Sequence, residues 1–397
     1  MSMELPLNRQ IGYASGNFGK SLLWTSLDYL LLFYLTEVVG LPMAWAGAIV
    51  LLSLLWDAAI NPFIGYWIDR RANQGKDYRP FLRWAPIASG CGFMALFWLP
   101  SNRSVINAAY LLMALFGFRS AYALLDVPHN AMLAHMPLKP PMRMRLAGMR
   151  FFFSSLGGLV VATTVAPQFS EAATRATRDA LLCMSAVAAS VLCLCVWQSL
   201  RPAREAMNDR NYDSVPLSPS GFMRAIFQNR AALLYLALAG LFAITTPLFA
   251  KILPYYLAYV TDNATSLPVL LVALTIGQIV AMPVWTALLS RFQPSVIGKI
   301  ALSGLALSLV TQLPAIGRQN SLAMLVTASI GFFLGGAIQV IWGLSGDVAD
   351  CIARQAKMRV DGGVLAFLTL VQKAALGFGA IAAGFALDAS GLNPAPS

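Results

Sequence analysis

Charge is what this sequence has least of. Only 11% of its 397 residues are Asp, Glu, Lys or Arg, where a soluble globular chain carries about 25%. A surface that is polar all round cannot be built from so few charges, which excludes an ordinary soluble domain. Acid is scarcer than base, 17 residues against 28, and there are only two histidines. The five cysteines (Cys91, Cys183, Cys193, Cys195 and Cys351) form no CxxC pair and no metal-ligand spacing, so a zinc module is excluded and they read as reduced packing residues. No HExxH or GxSxG motif is present, and the expected class is not an enzyme, with no cofactor and no metal. The run Ala14-Ser15-Gly16-Asn17-Phe18-Gly19-Lys20-Ser21 imitates a phosphate-binding loop, but it lies inside an apolar stretch where that loop must follow a strand.

What the chain has in abundance is hydrocarbon. Hydrophobic residues make up 58% and the mean hydropathy is +0.66. A bilayer core of roughly 30 Å takes about 20 apolar residues per helical span. Eleven stretches qualify, at 12–36, 42–67, 84–100, 105–135, 148–167, 180–198, 231–258, 267–290, 296–315, 321–345 and 362–387. The expected fold class is therefore all-α and polytopic, with the lipid bilayer as its solvent.

The net charge of +11 would suggest nucleic acid in a soluble protein. Its distribution argues otherwise. Arg9, the run Arg70, Arg71, Lys76, Arg79 and Arg83, the run Lys139, Arg143, Arg145 and Arg150, and further bases at 201–230, 291–299 and 354–359 all fall in segments on one side. The other side holds only Arg103, Arg175, Arg178 and Arg318. The positive-inside rule then predicts a cytoplasmic N-terminus in an inner (plasma) membrane, and no nucleic-acid partner. With eleven spans the C-terminus is expected outside.

The longest polar stretch, 201–230, holds Pro202, Asn208, Asp209, Asn211, Asp213, Pro216 and Pro219, all good loop formers. It predicts a six-helix bundle at 1–200, a central cytoplasmic loop at 201–230 and a five-helix bundle at 231–397. That resembles a six-plus-six plan of two bundles less its twelfth helix, a truncation by expectation, with solute handled at the midplane between the halves.

Ionisable residues inside spans are costly and mark polar paths or helix-to-helix ion pairs. There are seven: Lys20, Asp28, Asp57, Arg119, Asp126, Lys251 and Lys373. On the first helix Asn17, Ser21, Trp24 and Asp28 share one face; on the fourth Arg119, Tyr122, Asp126 and Asn130 do, with His129 beside them; on the second Asp57 and Asn61 lie one turn apart. Two polar stripes and a polar pair describe a cavity for a hydroxyl-rich solute, with Trp24 and Tyr122 as stacking surfaces. Four bases against three acids favour an anionic solute such as a uronide, unless Arg119 and Lys251 pair with Asp28 or with helix-end carbonyls. His129 is either a packing residue or a proton relay to Asp126.

These residues carry a resemblance. Gly12-Tyr13 to Gly19-Lys20, Trp56-Asp57-Ala58-Ala59-Ile60-Asn61-Pro62, Gly65 to Asp69-Arg70, Arg79-Pro80-Phe81, Asp126-Val127-Pro128, Arg150-Phe151-Phe152, Asp347-Val348-Ala349-Asp350 and Gln372-Lys373 stand in the order of the corresponding segments of the glycoside-pentoside-hexuronide:cation symporters. The chain resembles that melibiose-carrier-like family. The resemblance implies a major facilitator fold and secondary transport of a glycoside, uronide or related sugar by alternating access, by a monomer. It implies sugar contacts at Asp126 and Arg150, a cation site at Asp57 with Lys373 near it, and a gating loop at Asp69 and Arg70; joined to the helix faces, the expected substrate site is Ser21, Trp24, Tyr122, Asp126, Asn130, Arg150 and Lys373 and the expected cation-coupling site Asp57, Asn61 and Lys373. Three departures stand out: Asn61 replaces the family's second cation-site carboxylate, Ser21 its first-helix sugar aspartate, and Asn130 an aromatic.

Sodium needs a cage of oxygen ligands, whereas a proton needs one titratable group. Of the two candidate coupling ions, H+ or Na+, the loss of a carboxylate therefore favours the proton, with Asp57 as its carrier. A permanent Asp57–Lys373 ion pair without coupling is the architectural alternative. The rival functions are a facilitator or exporter of another small metabolite, and a nontransporting membrane sensor or truncated carrier.

Overall fold

The computed structural model describes residues 5–74, 76, 80–99, 104–136, 138–164, 175–206, 218–255, 267–316, 320–356 and 360–389. Among them eleven helices of 15 residues or more occupy the eleven predicted stretches. They are α1 (Leu7–Phe33), α2 (Met43–Asn73), α3 (Phe81–Ala95), α4 (Ser104–His135), α5 (Pro140–Thr164), α6 (Arg175–Ala206), α8 (Arg230–Tyr255), α9 (Leu267–Leu289), α10 (Pro294–Ile316), α11 (Asn320–Ala356) and α12 (Asp361–Ala389). A short helix, α7 (Pro219–Phe227), and a π-helical turn, Tyr34–Val38, that continues α1 complete the order. Among the described residues seven helices are long and apolar enough to cross a membrane, and the pair α7 and α8, bent by 74°, makes an eighth.

The main departures from expectation lie at helix ends. The basic stretch Lys139 to Arg150, expected to lie largely in a loop, is the opening of α5 from Pro140 onward, and Pro140 suits a first helical position. The central polar stretch is part helix. Ser218 caps α7 by accepting the Gly221 amide at 3.0 Å, Pro219 starts the helix, and Phe222 and Ile226 are buried.

Burial is inverted relative to a soluble protein. Phe63, Trp84, Leu241 and Val310 point outward, as side chains in lipid contact should. Two apolar clusters form the interior: one drawn chiefly from α1 to α6, with Leu23, Phe118, Leu125 and Leu192, the other chiefly from α7 to α12, with Trp285, Ile297, Leu334 and Leu365. Where α9 crosses α11 the backbones nearly touch: a Cβ on Gly277 would sit 2.0 Å from the Ala328 carbonyl, and one on Gly331 would sit 2.0 Å from that of Leu274. Polar side chains gather where α1, α2, α4, α5, α11 and α12 face one another.

Candidate solute-binding cavity

A cavity of about 280 Å³ opens between α1, α4, α5, α11 and α12. Helical spacing brings Asn17, Lys20, Ser21 and Trp24 of α1 onto its wall, opposite Tyr122, Asp126 and Asn130 of α4. Lys20, 4% exposed, donates to Asp126 Oδ1 at 2.8 Å and to Asn130 Oδ1 at 3.0 Å. Asn130 Nδ2 donates back to Asp126 Oδ2 at 2.9 Å. Arg150 of α5 donates from Nε to Asn17 Oδ1 at 3.2 Å and from Nη2 to Asn130 Oδ1. Its guanidinium stands 5.7 Å from the Tyr13 ring and 5.2 Å from that of Trp342. The Asn130 carbonyl oxygen thus serves two cations, a role an aromatic at this position could not fill. Arg150 is buried, has no carboxylate partner among the described residues, and its Nη1 makes no hydrogen bond.

A second ionic cluster lies behind the wall. Asp57 of α2, 1% exposed, accepts from Arg119 Nη1 at 3.0 Å on Oδ2 and from Lys373 Nζ at 2.6 Å on Oδ1. Asn61 Nδ2 lies 3.4 Å from the same Oδ1 and also donates to the Asp57 carbonyl one turn back; its own Oδ1 is buried without a partner. Trp24 separates this cluster from the cavity, with Lys373 Nζ 5.1 Å and the Arg119 guanidinium 5.6 Å from its ring. Removing these charges from water costs several kcal/mol per ion, offset only by close pairing and hydrogen bonds such as these.

All seven expected substrate residues line the cavity, and Ser21 is fixed there by donating to the Ser154 carbonyl at 2.7 Å. Trp24 and Tyr122 face each other at 5.7 Å, tilted by 30°. Of the expected cation residues, Lys373 reaches the cavity while Asp57 and Asn61 stand outside its lining. Two open readings are narrowed. Arg119 pairs with Asp57, a partner that the open alternatives did not include, and Asp28 is exposed and away from the cavity wall. His129 does not reach Asp126: its Nε2 shares a hydrogen bond with Ser199 Oγ at 2.9 Å and its ring stacks on Tyr13, so it packs α1, α4 and α6 together. The side chain of Lys251 lies outside the described residues. Residues missed as cavity walls include Lys20, whose spacing of three from Asn17 and four from Trp24 already put it on the right face, Gln372, which stood in a motif beside Lys373, and Trp342 and Thr369, for which no local signal existed.

At the arginine-rich end the halves are clasped twice. Asp69 of α2, fully buried, accepts the amides of Gly362 at 2.7 Å and Gly363 at 2.6 Å, the opening residues of α12. Gly65 makes room: a Cβ there would meet Ala366 at 2.6 Å and the Gly362 carbonyl at 2.9 Å. Arg143 of α5 bridges Asp347 and Asp350 of α11, each at 2.7 Å. Arg70 is exposed and takes no visible part in this clasp. Among the described residues no group of His, Cys, Asp and Glu could hold a metal ion.

A helical bundle with clasped ends and a charged cavity between its halves is the architecture of a multi-pass carrier, and comparison with known proteins names the class. The family model described as MFS/sugar transport protein matches residues 12–397. The chain belongs to that family of the major facilitator superfamily. It is similar to the isoprimeverose transporter of Lactiplantibacillus pentosus, at 22% identity over 98% of this chain and 81% of that one. It is similar also to the glucuronide carrier protein homolog of Escherichia coli (strain K12), at 23% identity over 98% and 85%. The uncharacterized symporter YnaJ of Bacillus subtilis (strain 168) is 30% identical, but over 40% of this chain and 34% of its own length, so that match spans about a third of the relative. In fold the chain is similar to a bacterial homologue of the iron transporter ferroportin in its outward-facing state, with a TM-score of 0.69 at 13% identity, covering 96% of this chain and 92% of that one.

Proposed function

We propose that this protein is a secondary transporter of an acidic sugar derivative, a uronide or its glycoside, working as a monomer by alternating access and coupled to protons rather than sodium. The observation that carries the reading is Arg150: a buried guanidinium on the cavity wall, without an acid partner among the described residues and with one nitrogen unbonded. A solute carboxylate supplies the missing partner in a charge-assisted pair, while Trp24 and Tyr122 offer the ring faces that a sugar stacks on. The similarity to the glucuronide carrier homolog agrees with a uronide, and that to the isoprimeverose transporter supports a sugar of some kind. Sodium is disfavoured because both Asp57 oxygens are already engaged by bases and the neighbouring carboxylate is Asn61. With the bases placed inside by the positive-inside rule, the clasped end is cytoplasmic and the cavity serves the outward-facing half of the cycle.

Reconstituted vesicles test this. Labelled methyl β-D-glucuronide should exchange in counterflow and outcompete methyl β-D-xyloside, and Arg150→Lys should weaken it at least tenfold, since lysine cannot replace a forked contact. Uptake driven by sodium alone at fixed pH would defeat the coupling assignment, and equal affinity for charged and neutral sugars would defeat the acidic one. Because Asp57 is held on both oxygens, facilitation without coupling is the second reading; it predicts uptake that stops at equilibration under every ion gradient.

A further inference from the structure

Asp57 is held by two bases of different character. Arg119 stays protonated at any pH a cell meets, so its bond to Oδ2 gives Asp57 a permanent counter-ion whatever happens at Oδ1. Lys373, on the other oxygen, carries a proton that can leave. Two proton movements can be compared. Adding a proton to Asp57 leaves two buried cations facing each other across a neutral acid. Removing one from Lys373 leaves a matched Arg119–Asp57 pair and a neutral amine. In a low-dielectric interior the second arrangement is far less costly, because no unpaired charge remains. Access points the same way: Lys373 lines the cavity, whereas Asp57 is sealed behind it.

Resting on the carrier reading above, we infer that the coupling proton rides on the Lys373 amine, with Arg119 as the fixed counter-ion that keeps Asp57 ionised throughout the cycle. Lys373 takes a proton from cavity water on one side of the membrane and returns it on the other, the nitrogen keeping its electron pair. The charged groups around it are Asp57 from α2 and Arg119 and Asp126 from α4. Arg224 of α7 is exposed, and Asp347 and Asp350 of α11 are engaged by Arg143 at the clasped end; on α8 the Lys251 side chain lies outside the described residues. A solute acid in the same cavity favours the ammonium form, and by reciprocity the ammonium favours the acid. That mutual preference is the coupling.

The test has two arms, one of which needs no solute. Infrared difference spectra of the purified protein, titrated between about pH 6 and 9, report protonated carboxyl groups directly. No carboxylic-acid band assignable to Asp57 is expected; such a band, lost in Asp57→Asn or moved in Asp57→Glu, overturns the proposal even if no sugar is ever transported. In the second arm vesicles take up labelled methyl β-D-glucuronide under a gradient of one pH unit, which supports about tenfold accumulation for one proton per solute. Lys373→Arg keeps the positive charge but cannot release its proton, so accumulation should fall to the equilibration ratio. A variant that still concentrates the solute refutes the role of Lys373. Absence of exchange by every sugar in the wild type counts instead against the carrier reading, and leaves the infrared result to decide this one.

Discussion

Replacing Asp69 with asparagine should open the arginine-rich end of the molecule. The carboxylate accepts two amides across the boundary between α2 and α12, at 2.7 and 2.6 Å, and it stands at the positive end of a helix dipole. Hydrogen bonds to a charged acceptor contribute about 1.5–3 kcal/mol each, and a charge at a partly buried helix N-terminus up to about 2 kcal/mol. The carboxamide that replaces it would keep one acceptor, lose the charge, and point its NH2 at the second backbone N–H. A net loss of about 3 kcal/mol is expected from these contributions. These bonds exist only while the two helices touch, so the loss falls on the closed state and shifts its ratio to the open state roughly 150-fold. Spin labels at Gln74 and Arg354, both exposed at that end, in a background stripped of the native cysteines, would report the distance by pulsed resonance. A new, longer population should dominate in D69N. If the distance distribution matches the parent, the clasp does not hold the end shut and the reasoning fails.

Three further outcomes follow from the geometry. Asp126→Asn strands the buried Lys20 ammonium and should lower unfolding stability by about 3–5 kcal/mol in detergent; a double change of Lys20→Met with Asp126→Leu should recover much of it, and an unchanged melting temperature in D126N would deny that the pair is buried. Gly331→Ala forces a methyl to within 2.0 Å of the Leu274 carbonyl and should cost at least about 1–3 kcal/mol, whereas Gly47→Ala, with open space around it, should be neutral or slightly stabilising by the same melt. Arg143→Gln releases Asp347 and Asp350 together, so cysteine labelling at the arginine-rich end should accelerate; if the single changes Asp347→Asn and Asp350→Asn each match its effect, the two bonds act as one unit rather than two.

The sequence was most legible where periodicity and burial point the same way. The spacing of Asn17, Ser21 and Trp24 on α1, and of Tyr122, Asp126 and Asn130 on α4, placed one polar face per helix, and in lipid such a face has only the interior to turn to. Those six residues line the cavity as expected. Pairing was not legible. Arg119 and Asp57 lie 62 positions apart and Lys373 and Asp57 lie 316 apart, and nothing in local spacing says which base meets which acid across a bundle. Arg119 misled for a physical reason: it shares the helical stripe of Tyr122 and Asp126, but its long side chain leans one turn away toward α2, so equal phase on the helix did not mean an equal destination. His129 was open between packing and relay, and packing is what its surroundings show. Its sequence neighbours face the cavity, while its own position, about 100° round the helix from Asn130, faces α6 and Ser199. The clasp was half legible: Asp69 lay in a motif, but what it accepts from α12 are backbone amides, which carry no residue signature.

Charge balance ties the cavity to its proposed cycle. Lys20, Arg119, Arg150 and Lys373 supply four positive charges, and Asp57 and Asp126 two negative ones, so the chamber and its rear cluster hold an excess of two with every base protonated. An empty carrier that must change state inside a bilayer is burdened by that excess. With Lys373 neutral the excess falls to one. When an acidic solute arrives and Lys373 regains its proton, the two added charges cancel and the excess is again one. Loaded and empty forms then present the same charge to the membrane, while the half-loaded forms do not. Proton without anion restores the full excess of two, and anion without proton leaves the solute carboxylate facing a neutral amine, its attraction to the site reduced by one cation. In the proposed cycle the charge burden therefore weighs against moving the protonated empty carrier, whereas the unprotonated loaded form, whose excess is zero, is held back only by weaker binding of the solute.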